Sequence, residues 1–193
     1  DFSWKKGTPW IMISDNGSGM DESELRKAMK PGSQSPSEHR EPNDLGRFGL
    51  GLKTASWSQC MKMTVFSKKN DNENHRSWDL QHVIDTDKWE LILDIDEETR
   101  SLMTTHLSKY NSGTSVLWEN LDRIVGDFSG SDDDSMKFQF QEKLVNSVKS
   151  HLQMVFHRYI SGKNPIKISV GGYSCEGWDP FLQNHKSTEE IST

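Results

Sequence analysis

Cysteine is scarce in this sequence. The two present in 193 residues, Cys60 and Cys175, stand far apart and in no ligand-like spacing, so neither a disulfide framework nor a zinc site is indicated. A reducing, intracellular (cytoplasmic) setting fits that usage. Long apolar runs are missing as well: nothing approaches a membrane span, and there is no signal peptide. The chain opens on Asp1 rather than methionine, as though cut from something longer. Nor is there a surplus of positive charge. With 23 basic against 29 acidic residues the net charge is -6, which excludes a general attraction to nucleic acid or an anionic membrane and leaves room only for a local basic patch. No internal repeat is visible. Apolar residues make up 32% and the mean hydropathy is -0.79, polar for a globular chain. Seven tryptophans and eight phenylalanines nevertheless argue for a folded core with long polar loops.

Read in order, Trp10 to Ser14 (WIMIS) is a short apolar run that predicts a buried strand with Asp15 at its C-terminal end. Asp21 and Glu24 form an acidic capping box, and Leu25, Ala28 and Met29 recur at helical spacing, so a helix starts here and stops at Pro31-Gly32. Residues 32–44 carry two prolines and no periodic apolar face, which predicts an exposed loop over a site. Met61 to Ser67 alternates like a half-buried strand, Lys68 to Asn74 reads as a hairpin turn, and His75 to Leu80 and Glu90 to Asp94 read as further strands. Asp96 to Leu107 reads as a helix and Gly113 to Glu119 as a strand. Residues 126–135 form an acidic loop. Leu144, Val148, Leu152, Val155 and Tyr159 then mark the buried stripe of one long helix ending at Gly162, and Ile166 to Val170 with Gly171-Gly172 predicts a terminal strand or hairpin. Strands joined antiparallel with helices between them suggest an α+β two-layer α/β sandwich on a mainly antiparallel mixed sheet. Its core spans 1–125, and 126–193 completes the same domain.

Three glycine-bearing stretches carry the chemistry. Leu45 to Ser56 (LGRFGLGLKTAS) places Gly46, Gly49 and Gly51 at the opening of a helix, where uncovered N–H groups and the helix dipole make an anion site suited to phosphate. A flexible surface loop has the same composition. Asp15-Asn16-Gly17-Ser18-Gly19-Met20 sets a carboxylate beside two glycines, so a flat amino group such as adenine N6 can pack against the main chain and donate to it; taken alone, a simple turn explains the stretch equally well. Gly113-Thr114 is an unremarked strand start by itself. A P-loop is rejected because Leu52 intrudes between Gly51 and Lys53 and the stretch before the glycines is polar loop. Other constellations fare no better. His151 and His157 lie six apart on a helix, Asp132 to Asp134 reads as solvated, and Asp94 with Asp96 lacks the turn glycine of a calcium loop.

In order and spacing the three stretches resemble the GHKL ATPases of the Bergerat fold, which include the gyrase B subunit, histidine-kinase catalytic domains, MutL-type repair proteins, ninety-kilodalton heat-shock chaperones and MORC ATPases. The D-x-G-x-G motif corresponds to Asp15, Gly17 and Gly19. The G-x-x-G-x-G motif corresponds to Gly46, Gly49 and Gly51, and the later Gly-Thr to Gly113 and Thr114. The run through GRFGLGLKTAS and the strands beyond is most similar to the chaperone and MORC branches.

The resemblance implies ATP or ADP with Mg²⁺ as cofactor. Asp15 would take the adenine amino group, Gly17 would flank it at the nucleotide, Gly19 would leave room for a bridging water, Met20 would line the base and Thr114 would complete the adenine network. Gly46, Phe48, Gly49, Leu50, Gly51, Leu52 and Lys53 would surround the phosphates, Lys53 either adding a charge or standing as a solvated surface lysine. Residues 31–45 would be the ATP lid, whose ordering favours a homodimer, with nucleic acid or protein clients handled by other domains. In relatives the general base and the Mg²⁺-binding asparagine precede the D-x-G-x-G motif. The fourteen residues before Asp15 contain neither Glu nor Asn, so both are expected upstream, no catalytic residue is assigned within 1–193, and Glu22 or Glu24 cannot substitute. The alternative is a non-hydrolysing nucleotide-binding or scaffold domain.

Overall fold

In a computed structural model, the structure describes residues 1–4, 8–32, 49–126, 132–183, 185–189 and 191. Two compact units result, Asp1–Phe128 and Ser129–Thr193.

The first unit is built on a five-stranded sheet. Its strands are β1 (Phe2–Ser3), β2 (Trp10–Asp15), β3 (Lys62–Lys69), β4 (Asn72–Asp79) and β5 (Gly113–Glu119), in the order β1-β2-β5-β3-β4. Every pairing is antiparallel. The fold is α+β, as the sequence predicts, and its sheet has no parallel pair. The β3–β4 turn is tighter than the seven polar residues suggest. Only Asn70 and Asp71 leave the ladder, both at positive φ (49° and 64°), as a two-residue hairpin matched to strand twist requires.

Register divides the side chains between two faces. On one face Met12, Phe66 and Leu117 pack against Met103 and Leu107 of α4 (Glu97–Leu107). On the other face lie Met63, Val65 and Ser67, with Trp118, Val116 and Thr114 beside them in register. Here α1 (Glu22–Met29) buries Leu25 and Met29, and α2 (Gly51–Trp57) buries Lys53 and Ser56. The alternation read in Met61 to Ser67 understates β3. Residues 63–67 are all buried, because β3 lies between β4 and β5 with helices covering both faces.

Asp21 caps α1 through the expected reciprocal box, its carboxylate accepting from Glu24 N–H at 3.0 Å while Glu24 Oε2 accepts from Asp21 N–H at 2.8 Å. The Glu24 N–H bond, with a second from Ser23 Oγ at 2.8 Å, holds the Asp21 pKa down at about 2, so the cap stays charged at ordinary pH. Glu90 to Asp94 is not a strand. It makes one bridge, Ile92 with Ser77, since α3 (Leu80–Thr86), absent from the sequence reading, redirects the chain after β4.

After β5 the described part of the first unit closes with α5 (Asp122–Val125). Residues 127–131 of the acidic run read as a loop lie outside the described residues; in the second unit its last residues, Asp133 to Ser135, start a helix rather than continue a loop. Asp132 caps α6 (Asp133–Glu142) by accepting from Ser135 N–H at 2.8 Å. The helix then passes through a π segment, Lys143–Val148, into α7 (Lys149–Val155), and breaks at Phe156 before α8 (His157–Ile160). The predicted buried stripe therefore fails. Leu144 and Phe140 are buried, but Val148, Val155 and Tyr159 are exposed, because the wider π turns rotate the apolar positions out of register. A two-residue hairpin, β6 (Ser169–Val170) with β7 (Tyr173–Ser174), follows. Among the described residues no helix is long and apolar enough to cross a membrane.

Candidate nucleotide site

Asp15 ends β2 and is paired in register with Thr114 at the start of β5, which is paired in turn with Ser67 on β3. The three side chains form a row across adjacent strands on the face that carries α1 and α2. Asp15 is exposed, not buried as the apolar run before it suggests, since only Ile11 and Met12 of β2 are covered. Its Oδ1 accepts from Gly17 N–H at 2.8 Å, a turn-closing bond that turns the carboxylate back over the loop and leaves Oδ2 as an acceptor.

Ser67 is the member that sequence reasoning missed. Fully buried, its Oγ receives Met20 N–H at 2.8 Å, lies 2.9 Å from Thr114 Oγ1 and donates toward Gly113 O at 3.2 Å. It therefore fixes the half-buried Met20 and Thr114 to the sheet. Only the strand register, which a single sequence does not display, brings it opposite Thr114.

The glycines are explained by close approach of main chains. A Cβ on Gly19, whose φ is 65°, would stand 1.8 Å from Lys68 O, and one on Gly113 would stand 2.4 Å from Asp15 O. Gly19 is thus required by the loop crossing the end of β3, whatever occupies the room beside it. Gly51 is different: among the described residues nothing lies within 4 Å of where its Cβ would be.

Gly49 adopts φ 60° and Leu50 precedes α2, whose first intrahelical bond is Thr54 N–H to Leu50 O at 2.9 Å. The N–H groups of Gly51, Leu52 and Lys53 thus open the helix ahead of its ladder, the arrangement that favours an anion. Gly46 and Phe48 lie outside the described residues, as does most of the predicted lid. Lys53 is neither a solvated lysine nor directed at an open phosphate pocket. Only 2% exposed, it donates from Nζ to Ala28 O at 2.6 Å, tying α2 to the C-terminal end of α1, and desolvation lowers its pKa. Glu22 and Glu24 are likewise committed, Glu22 to Arg76 at 2.7 Å and Glu24 to Lys69 at 2.6 Å. Burial pushes the Cys60 thiol up to about 12, which removes it as a nucleophile. Among the described residues no group of three or more His, Cys, Asp or Glu is placed to hold a metal ion.

The sequence model of one family, described as histidine kinase-, DNA gyrase B- and HSP90-like ATPase, matches residues 3–114, more than half of the chain and every described member of the site. The chain belongs to this ATPase family. No curated protein matches it. The match ends at Thr114, so it takes in the Asp15–Thr114–Ser67 row, and the family's nucleotide, ATP or ADP, can be tested against the geometry. The row offers what an adenine ring needs, a free carboxylate oxygen beside a hydroxyl anchored from behind. The start of α2 offers N–H groups ahead of its ladder, and among the described residues no side chain fills the space at Gly51.

Two expectations follow from this geometry. Gly19→Ala should destabilise the first unit by about 1–3 kcal/mol, the cost of forcing a strained backbone position, whereas Gly51→Ala should stabilise it by up to about 1 kcal/mol through helix propensity. Urea unfolding of both variants checks the contrast. For Lys53, the unfolded chain holds the proton more tightly than the folded one, so folding stability should rise with pH as the lysine approaches its ordinary value of 10.5 and the desolvation penalty is relieved. Lys53→Met should lack that alkaline rise, and urea midpoints measured from pH 7 to pH 10 should shift steadily in favour of the parent rather than keep a constant difference.

Proposed function

We propose that residues 1–193 are the nucleotide-binding module of a larger ATP-driven machine of the chaperone or MORC kind. The observation that carries this reading is the row Asp15, Thr114 and Ser67, held in register across β2, β5 and β3, with Asp15 keeping one carboxylate oxygen for the adenine amino group. Thr114, backed by Ser67, completes the polar contact with the base, and Met20 covers its apolar face. The phosphates meet the N–H groups of Gly51, Leu52 and Lys53, with Gly46, Phe48, Gly49 and Leu50 around them and Mg²⁺ accompanying the phosphates. In this reading nucleotide acts as a switch: contacts from the terminal phosphate close residues 31–45 over the site, and the closed form pairs with a second copy while other domains handle nucleic acid or protein clients. No general base is assigned within the chain. Glu22 and Glu24, both engaged in ion pairs, are poor candidates for it. The alternative is a nucleotide-binding scaffold without turnover.

Calorimetry with ADP tests the pocket. Asp15→Asn replaces an acceptor by an amide that can present a donor to the adenine amino group, and loss of a charge-assisted hydrogen bond of about 1.5–3 kcal/mol should weaken binding at least about tenfold. Equal affinity in parent and variant would remove Asp15 from the site. Gly51→Ala, stabilising for the fold, should weaken nucleotide binding, because its methyl group enters the space assigned to phosphate. The switching step is tested by trypsin at Arg40 and Arg47: a non-hydrolysable ATP analogue should protect both bonds and ADP should not, with dimer appearing in sedimentation only in the protected state. Identical cleavage with both nucleotides would leave the scaffold reading in place.

A further inference from the structure

A second concavity of about 650 Å³ lies over β4, on the edge of the sheet remote from Asp15. Three rows of residues build it. Glu22, Arg26 and Lys30 recur at four-residue intervals and so form one stripe of α1 and its C-cap. Arg76 and Trp78 are alternate residues of β4 and share the same sheet face. Beyond them, Ser77 and Ile92 exchange two main-chain hydrogen bonds of 3.0 Å, which holds the chain extended there and sends Trp89, Leu91 and Leu93 to the cavity side. Trp78 and Trp89 meet edge to face with ring centroids 5.6 Å apart, and Trp57 packs against both.

This cavity has an apolar floor and a cationic rim. Trp89 is 63% exposed and Leu93 58%, an unusual amount of large apolar surface to leave in water at the mouth of a cavity. On the rim, Arg76 is already paired with Glu22 at 2.7 Å. Among the described residues neither Arg26 nor Lys30 has an ion-pair partner. Two such cations beside an aromatic wall stand out on a chain of net charge -6. The volume falls within the range of about 300–1,000 Å³ typical of small-molecule sites. None of the lining residues belongs to the Asp15–Thr114–Ser67 row. From β5 to β4 is two strand spacings, or about 10 Å, so the two sites stand side by side on one sheet face with α1 entering the construction of both.

We propose that this cavity binds a small organic anion with a flat apolar body and a single carboxylate, sulfonate or phosphate group. The body lies against Trp78, Trp89, Leu91 and Leu93, and the anionic group is met by Arg26 and Lys30, while Glu22 engages Arg76. The assignment is independent of the nucleotide reading.

Anilinonaphthalene sulfonate is a suitable probe, with uncharged phenylnaphthylamine as the comparison that keeps the rings and removes the anion. The parent protein should bind the sulfonate at a single site, with emission excited through tryptophan. The doubly substituted Arg26→Gln, Lys30→Gln protein should bind it at least about tenfold more weakly, the loss expected for charge-assisted contacts, while its affinity for the uncharged compound is unchanged. Trp89→Ala should weaken both. Arg26, Lys30 and Trp89 are exposed, and matching circular dichroism and urea midpoints verify that the variants keep the fold. Saturating ADP should leave sulfonate binding unaltered. Undiminished sulfonate affinity in the double variant would overturn the proposal, as would displacement of the probe by ADP.

Discussion

The contact between Gly19 and the end of β3 constrains everything on this face of the sheet. With φ at 65° and Lys68 O where a Cβ would be, the loop after β2 passes so close to the sheet that no side chain fits. That approach delivers Met20 N–H onto Ser67 Oγ. The position of Met20 in turn fixes where α1 begins, one residue later at the Asp21 cap. Asp15, Met20 and α1 are thus set by a single main-chain crossing rather than by three separate interactions.

From that start α1 is held along its length. Lys69 bonds Glu24, Arg76 bonds Glu22, Trp78 Nε1 donates to Met29 O at 3.0 Å and Lys53 Nζ donates to Ala28 O. The exposed ion pairs each contribute little stability, but they settle the rotation of the helix. Leu25 and Met29 face the sheet, and Arg26 and Lys30 face the second cavity. The buried Lys53 contact is the one with consequence for the glycine-rich segment. It joins the opening turn of α2 to the end of α1, so the N–H groups that would meet phosphate are positioned by the same helix that follows the D-x-G-x-G stretch.

Charge distribution follows from this arrangement more than from composition. Acidic residues fill the first turn of α1 and basic residues its last turn, which suits the helix dipole. The same ordering concentrates cations over β4 on a chain that is acidic overall. Net charge therefore excludes a general affinity for anions without excluding a local one, and the aromatic cluster of Trp57, Trp78 and Trp89 decides where that local affinity acquires an apolar partner.

Sequence alone determined the features whose causes are local. The capping box at Asp21 and Glu24, the strand ending in Asp15, the glycines at 17, 49 and 51, the helix after Asp96 and the strand from Gly113 each depend on neighbours a few residues away. Their order along the chain was enough for the family resemblance. Tertiary structure decided what depends on register and docking. Ser67 joins the site because β3 pairs with β5 at one alignment, and a shift of one residue would turn its hydroxyl to the opposite face. Lys53 is buried because α1 ends beside it. Glu90 to Asp94 yields one bridge because α3 intervenes, and the C-terminal stripe is lost to π turns that no apolar periodicity announces. Propensity and capping are written in adjacent residues, whereas the partner of a strand or the cover of a lysine is set by segments dozens of positions away.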